Sequence, residues 1–253
     1  MRLSKGIKVV SLVFALGAIA AVDLSAMATA LPTDGTLVAR SSRRRLNFRV
    51  GVRPSRSRVG GFSRSGSCGK QPLLAALVPP PQSQERLPGD KTTVDKTTSD
   101  RPTFFVHLPS LPGSTAQFTL QNEAGTKELY NVDFNLTEKQ GIVGIALPTS
   151  VPALQIGQKY LWQVAVNCIP DQLSSVVIVS SWIERVQPPA TTGRDRLTVL
   201  AQQGIWQDTV TLLALQRYRL PNDRTVAEDW AALMEDAGLP QFKQSVVVQI
   251  VKN

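Results

Sequence analysis

The sequence predicts an α+β protein: an antiparallel β-sandwich of immunoglobulin or fibronectin type, followed by a small helical, repeat-like C-terminal part. Three observations lead there. Apolar residues recur with period two in six runs between Phe104 and Val186. No helical segment interrupts those runs, and the period becomes helical after Pro188-Pro189.

Phe104, Val106 and Leu108 alternate with Phe105 and His107, and Phe118 and Leu120 with Gln117, Thr119 and Gln121. Tyr130, Val132, Phe134 and Leu136 form a third run, and Ile142 to Leu147, ending at Pro148, a fourth. Tyr160, Trp162, Val164, Val166 and Cys168 line one face of a fifth, and Val176 to Val186 makes the sixth. Between the fourth and fifth, Leu154 and Tyr160 stand six apart, the spacing of a tyrosine corner, in which the Tyr hydroxyl bonds back to the backbone. Beyond the prolines, Leu197, Leu200 and Ala201 share a helical face that ends at Gly204, and Trp206, Val210, Leu213 and Ala214 share another that ends near Pro221. Thr225 and Glu228 have the spacing of a capping box for a third helix, with Trp230, Leu233, Met234 and Ala237 on one side. Val246 to Val251 reads as a last short strand. Gly204, Trp206, Leu213 and Pro221 fall where a tetratricopeptide-like repeat places its turn and packing residues; a lone repeat cannot bury its own face, so these helices are expected to pack on the sandwich.

Ahead of this body the composition changes. The net charge of +9 divides into +2 over residues 1–30, +9 over 31–70 and −2 over 71–253, so the segment expected to fold is near neutral. Residues 1–28 read as a signal peptide: a short basic start, an apolar run from Val9 to Val22, and Ala26-Met27-Ala28 for the peptidase, with Ala30 as second choice of cleavage site. Residues 29–100 read as a disordered Arg/Ser/Gly-rich tail and polar linker, 101–188 as the sandwich, and 189–253 as the helical region packed on it. Export places the mature chain in the periplasm or outside the cell, where the thiols of Cys68 and Cys168 either pair as a disulfide or stand as two unrelated groups.

Composition excludes more chemistry than it suggests. One histidine rules out a histidine-rich metal site, and two cysteines rule out a cysteine-built zinc site. There is no H-E-x-x-H helix, G-x-S-x-G elbow, phosphate loop or dinucleotide fingerprint. His107 reads as a strand residue on a polar face, and no spacing singles out a carboxylate pair, so no catalytic, cofactor-binding or metal-binding residue is assigned. Trp162 and Trp230 fall on apolar faces and read as core; Trp182 and Trp206 fit either the core or a stacking platform. The tail is the sharpest feature: Arg43, Arg44, Arg45, Arg49, Arg53, Arg56 and Arg58 form an anion-binding candidate for an acidic polymer, a headgroup surface or a partner protein, with a solvated linker as the alternative and no nucleic acid expected.

The motifs Gly60-Gly61 through Cys68, Leu73 to Pro79, Asp100 to Phe104, Gly141 to Pro148, Tyr160 to Cys168, Trp182 to Val186, Gly204 to Asp208 and Trp230 to Leu239 resemble, in that order, the cyanobacterial domain of unknown function 928 family. The resemblance runs from about residue 58 to the end. It departs at Ile169-Pro170-Asp171, where Asp-Pro is common after the second cysteine, and at Gln207, where an aromatic is usual. Both Cys68 and Cys168 fall on the pattern, which favours their pairing; the resemblance implies no activity, cofactor or catalytic residue. The expectation is therefore an exported, non-catalytic envelope module that binds a protein partner or an anionic surface, without a transmembrane span after processing. The competing class is an extracytoplasmic hydrolase using a carboxylate pair.

Overall fold

The computed structural model describes residues 74–80, 94–108, 110, 114–137, 139–168, 176–190 and 195–252, all within one compact unit, Arg43–Asn253. The strands are β1 (Ala75–Ala76), β2 (Val94–Thr97), β3 (Thr103–Leu108), β4 (Thr115–Asn122), β5 (Glu128–Asn135), β6 (Gly141–Ala146), β7 (Lys159–Asn167), β8 (Val176–Arg185) and β9 (Val247–Val251). The helices are α1 (Arg196–Gln202), α2 (Trp206–Arg219) and α3 (Arg224–Asp236), with a short 3-10 turn at Pro240–Phe242.

All six period-two runs are strands, and so is the last short one. They form two sheets: sheet A in the order β1-β3-β6-β9 and sheet B in the order β2-β8-β7-β4-β5. Phe104 of β3 meets Phe118 of β4 and Trp162 of β7 at centroid distances of 5.0 and 5.3 Å, so the two sheets face each other across an aromatic core. The sheets are mixed, which corrects the all-antiparallel expectation: β2 runs parallel to β8 and β9 parallel to β6. Period two reports which faces of a strand are buried and carries nothing about its neighbour's direction. Each parallel pair is also joined by a long crossover, which a parallel neighbour requires. The folded body moreover begins ahead of Arg101, since β1 and β2 both belong to the sheets.

β3 and β6 are buried on both faces. One face meets sheet B, and the other lies under the helical segment, where His107, 1% exposed, packs on Phe242 at 4.9 Å. This corrects the reading of His107 as a residue on a polar strand face: the third layer covers what would otherwise be solvent. α2 lies against β2, β3 and β9. The C-terminal part is thus no separable cap, because β9 completes sheet A and the buried side chains of sheets and helices form one core cluster.

Local signals hold in part. The Tyr160 hydroxyl accepts from the Gln155 N–H at 2.8 Å, and Leu154 is buried, as the corner requires. Gly204, at φ 67°, closes α1 in a left-handed conformation and lets α2 begin two residues later. The third helix starts earlier than the capping box predicts: Asp223 is the N-cap, accepting from the Val226 N–H at 3.0 Å, while Glu228 pairs with Arg224 one turn back. Among the described residues no helix is long and apolar enough to cross a membrane.

Candidate functional site

Three consecutive residues at the start of α2 each reach a different strand region. Trp206 donates its indole N–H to the carbonyl of Leu77, beside β1, at 2.9 Å. Gln207 donates from its amide to the Thr103 carbonyl at the head of β3. Asp208 accepts from the hydroxyls of Thr97 and Thr98 and from the Thr98 N–H, which ties down the end of β2. Successive side chains of a helix point about 100° apart, so a turn with Trp206, Gln207 and Asp208 all buried is enclosed by the strands it bonds. The Gln207 position, where the resemblance leads one to expect an aromatic, carries a buried amide that bonds the sheet.

Beside this turn lies a crevice of about 140 Å³, lined by Ser99, Arg101, Thr103, Arg196, Asp208 and Thr211. Its chemistry is limited. Asp208 is the lining carboxylate, and both its oxygens are engaged by threonines. The Ser99 hydroxyl oxygen accepts from the Arg101 N–H at 3.1 Å and has no imidazole beside it, since His107 packs on Phe242. Arg101 spends its terminal nitrogens on Asp100 and on the carbonyls of Thr149 and Val151. Ligand pockets usually start near 300 Å³, so this crevice reads as the joint between α2 and the sheets. Among the described residues no group of three or more His, Cys, Asp or Glu could hold a metal ion.

The outer face of sheet B offers a broader surface. Val94 of β2, Trp182 of β8 and Leu161 of β7 stand in one cross-strand row, all half-buried, and Gln121 of β4 continues it. Two rows on, Ile178, 48% exposed, stands opposite Ala165, followed by Gln117 and Asp133, whose side chains bond at 3.0 Å. Lys96, Glu184 and Lys159 border the apolar row on its other side. Trp182 and Trp206, which the sequence leaves open, separate here: Trp206 is core and Trp182 is on this face, while Trp162 and Trp230 are core as expected.

The arginine candidates Arg43 to Arg58 and Cys68 lie outside the described residues. Cys168 is at the end of β7, half-buried against the core, and is not a free thiol. Sequence reasoning passes over two groups. Asp95, 4% exposed on β2, accepts from the Ser181 hydroxyl at 3.0 Å between the layers; it sits in a Val-Asp-Lys-Thr run that reads as linker. Arg217 in the last turn of α2 is 7% exposed, and burial lowers its pKa because desolvation penalises the charged form. Its one legible signal is its place three residues after Ala214 on the buried face.

A family model described as Domain of Unknown Function (DUF928) matches residues 59–247, well over half of the chain. A search of curated proteins finds no match.

Proposed function

The chain belongs to the DUF928 family, and from that premise we propose that it is an exported, non-catalytic binding module whose folded part presents the outer face of sheet B to a protein partner in the envelope. One observation carries the reading: the half-buried cross-strand row Val94–Trp182–Leu161, and the exposed Ile178 beyond the polar pair Ser180–Gln163, put apolar side chains on the outer face of sheet B, bordered by Lys96, Glu184, Gln117 and Asp133. Apolar side chains grouped on an outer sheet face with a polar border are what an interface offers, while hydrolysis by paired carboxylates needs two acids facing one cleft. The crevice at α2 is lined by a single carboxylate already held by two hydroxyls, which gives the hydrolase reading no support.

In this reading residues 1–28 direct export and Cys68 pairs with Cys168. What supports the pairing is that Cys168 is not a free thiol and that the chain has one other cysteine. The arginines from Arg43 to Arg58 add a second, electrostatic contact to an anionic surface, with affinity that falls as salt screens it.

The test is capture from envelope extracts by the mature protein and by an Ile178→Glu/Leu161→Glu variant, at low and at high salt. The expected result is a partner retained at high salt and lost from the variant. Partners lost with salt alone assign binding to the arginine tail instead, and the absence of any partner overturns the proposal.

A further inference from the structure

Among the described residues Arg217 is a charge without a counterion. Its Nε donates to the Ser245 carbonyl at 2.9 Å, one terminal nitrogen is buried with no partner, and among the described residues no carboxylate lies within ion-pair distance. Its position in the last turn of α2 lets the helix dipole compensate part of the charge. Buried charges in folded proteins are otherwise paired, and a guanidinium does not escape by losing its proton.

The surroundings specify what would pair with it. Ser245 leads directly into β9, the last strand of sheet A, whose second edge pairs with no strand among the described residues. An edge strand offers a row of backbone donors and acceptors to an added strand. Val246 is 43% exposed, and Tyr218 and Leu220 at the end of α2 are 45% and 53% exposed. Three of the five large apolar side chains exposed among the described residues thus lie within three positions of Arg217 or Ser245.

We propose that the open edge of β9 is a docking site for an extended segment of a partner protein bearing an aspartate or glutamate, whose backbone adds to β9 and whose carboxylate completes Arg217. The unpaired cation selects an acid, the open edge selects an extended chain, and the exposed apolar side chains give the segment's flanking residues something to cover. This surface is distinct from the outer face of sheet B, so either assignment can fail without the other.

The test is a random peptide library panned against the full mature chain and against Arg217→Met. The apolar replacement removes a cation that no carboxylate among the described residues pairs, so the variant is expected to unfold within a few degrees of the parent. On the parent, selected peptides are expected to share one acidic position. Replacing that acid by its amide should weaken binding at least tenfold, and Arg217→Met should abolish the difference. Hydrogen exchange on the parent alone gives a second readout, since bound peptide is expected to slow exchange of the Val247–Val251 amides. Selected sequences without an acidic position, equal selection by Arg217→Met, or unchanged β9 exchange would each overturn the proposal, as would an edge occupied by a second copy in a dimer that Arg217→Met leaves intact.

Discussion

Gly144 shows how little room the helix-facing side of sheet A has. It stands in register between Phe105 and Ile250, and a Cβ added there would lie 2.9 Å from the Phe105 ring and 2.7 Å from the end of the Ile250 side chain. Ile250 can swing aside, but the buried Phe105 ring cannot do so without disturbing its neighbours. Gly144→Ala is therefore expected to destabilise the fold by about 1–3 kcal/mol, the usual cost of overpacking a filled core, as read from urea unfolding. At this scale the sequence was legible wherever one face decides the outcome: Trp162 and Trp230 lie on apolar faces and are core. It was illegible where a third layer intervenes. His107 alternates with apolar neighbours as a solvent-facing residue would, and only the 3-10 turn bearing Phe242 makes its side buried. Arg217 is harder still, since a charged residue near a helix end ordinarily signals solvent. Because folding lowers its pKa, the charge opposes folding at every pH below that lowered value, and the burden lifts only as pH rises through it. The whole burden is thus present at neutrality.

The β2 segment reads as linker in the sequence for a physical reason: its inward side chains are Asp95 and Thr97, so the apolar alternation that marks a strand is missing. The inward polar groups are affordable because each is bonded, Asp95 to Ser181 of β8 and Thr97 to Asp208 of α2. The longer strands with an apolar inner face are legible in the sequence; β2, whose inner face is a hydrogen-bond network, is not, and neither is β1, whose two residues are too few to show a period. The same holds for the joint at α2, where the motif Gly204 to Asp208 was visible as a pattern but not as three bonds to three strand regions. Removing the carboxylate tests that joint. Asp208→Ala leaves the fully buried Thr97 hydroxyl without its acceptor, and the expected loss is about 2–3 kcal/mol in urea unfolding. Thr98→Ala, which removes a partly exposed hydroxyl, is expected to cost less. Hydrogen exchange should place the loss locally, with the Val94–Thr97 amides exposed before those of β7 and β8.

The parallel pairing of β9 with β6 governs the molecule as a whole, because it makes the last strand of the chain a neighbour of one laid down about a hundred residues earlier. Sheet A is not complete until the chain has passed through the helical segment, and Asp208 of α2 ties down the end of β2 in sheet B, so sandwich and helices are expected to unfold together. Cys168 stands at the far end of β7, the central strand of sheet B, and a bond from it to Cys68 would anchor the Arg-rich segment to that strand. A loop of roughly 100 residues closed in this way stabilises by at most about 4–5 kcal/mol on chain-entropy grounds, less where the reduced chain keeps structure. The decisive property is coupling. Cys68→Ser and Cys168→Ser are each expected to lower the midpoint of thermal unfolding by a similar amount, the double variant no further, and reduction of the parent by the same step. Two independent thiols would instead give separate effects that add, with no response to a reductant. Because only an oxidising compartment sustains such a bond, the same measurement on protein taken from the envelope and from the cytosol tests the export reading too: the reductant-sensitive step should be present in the first and missing from the second.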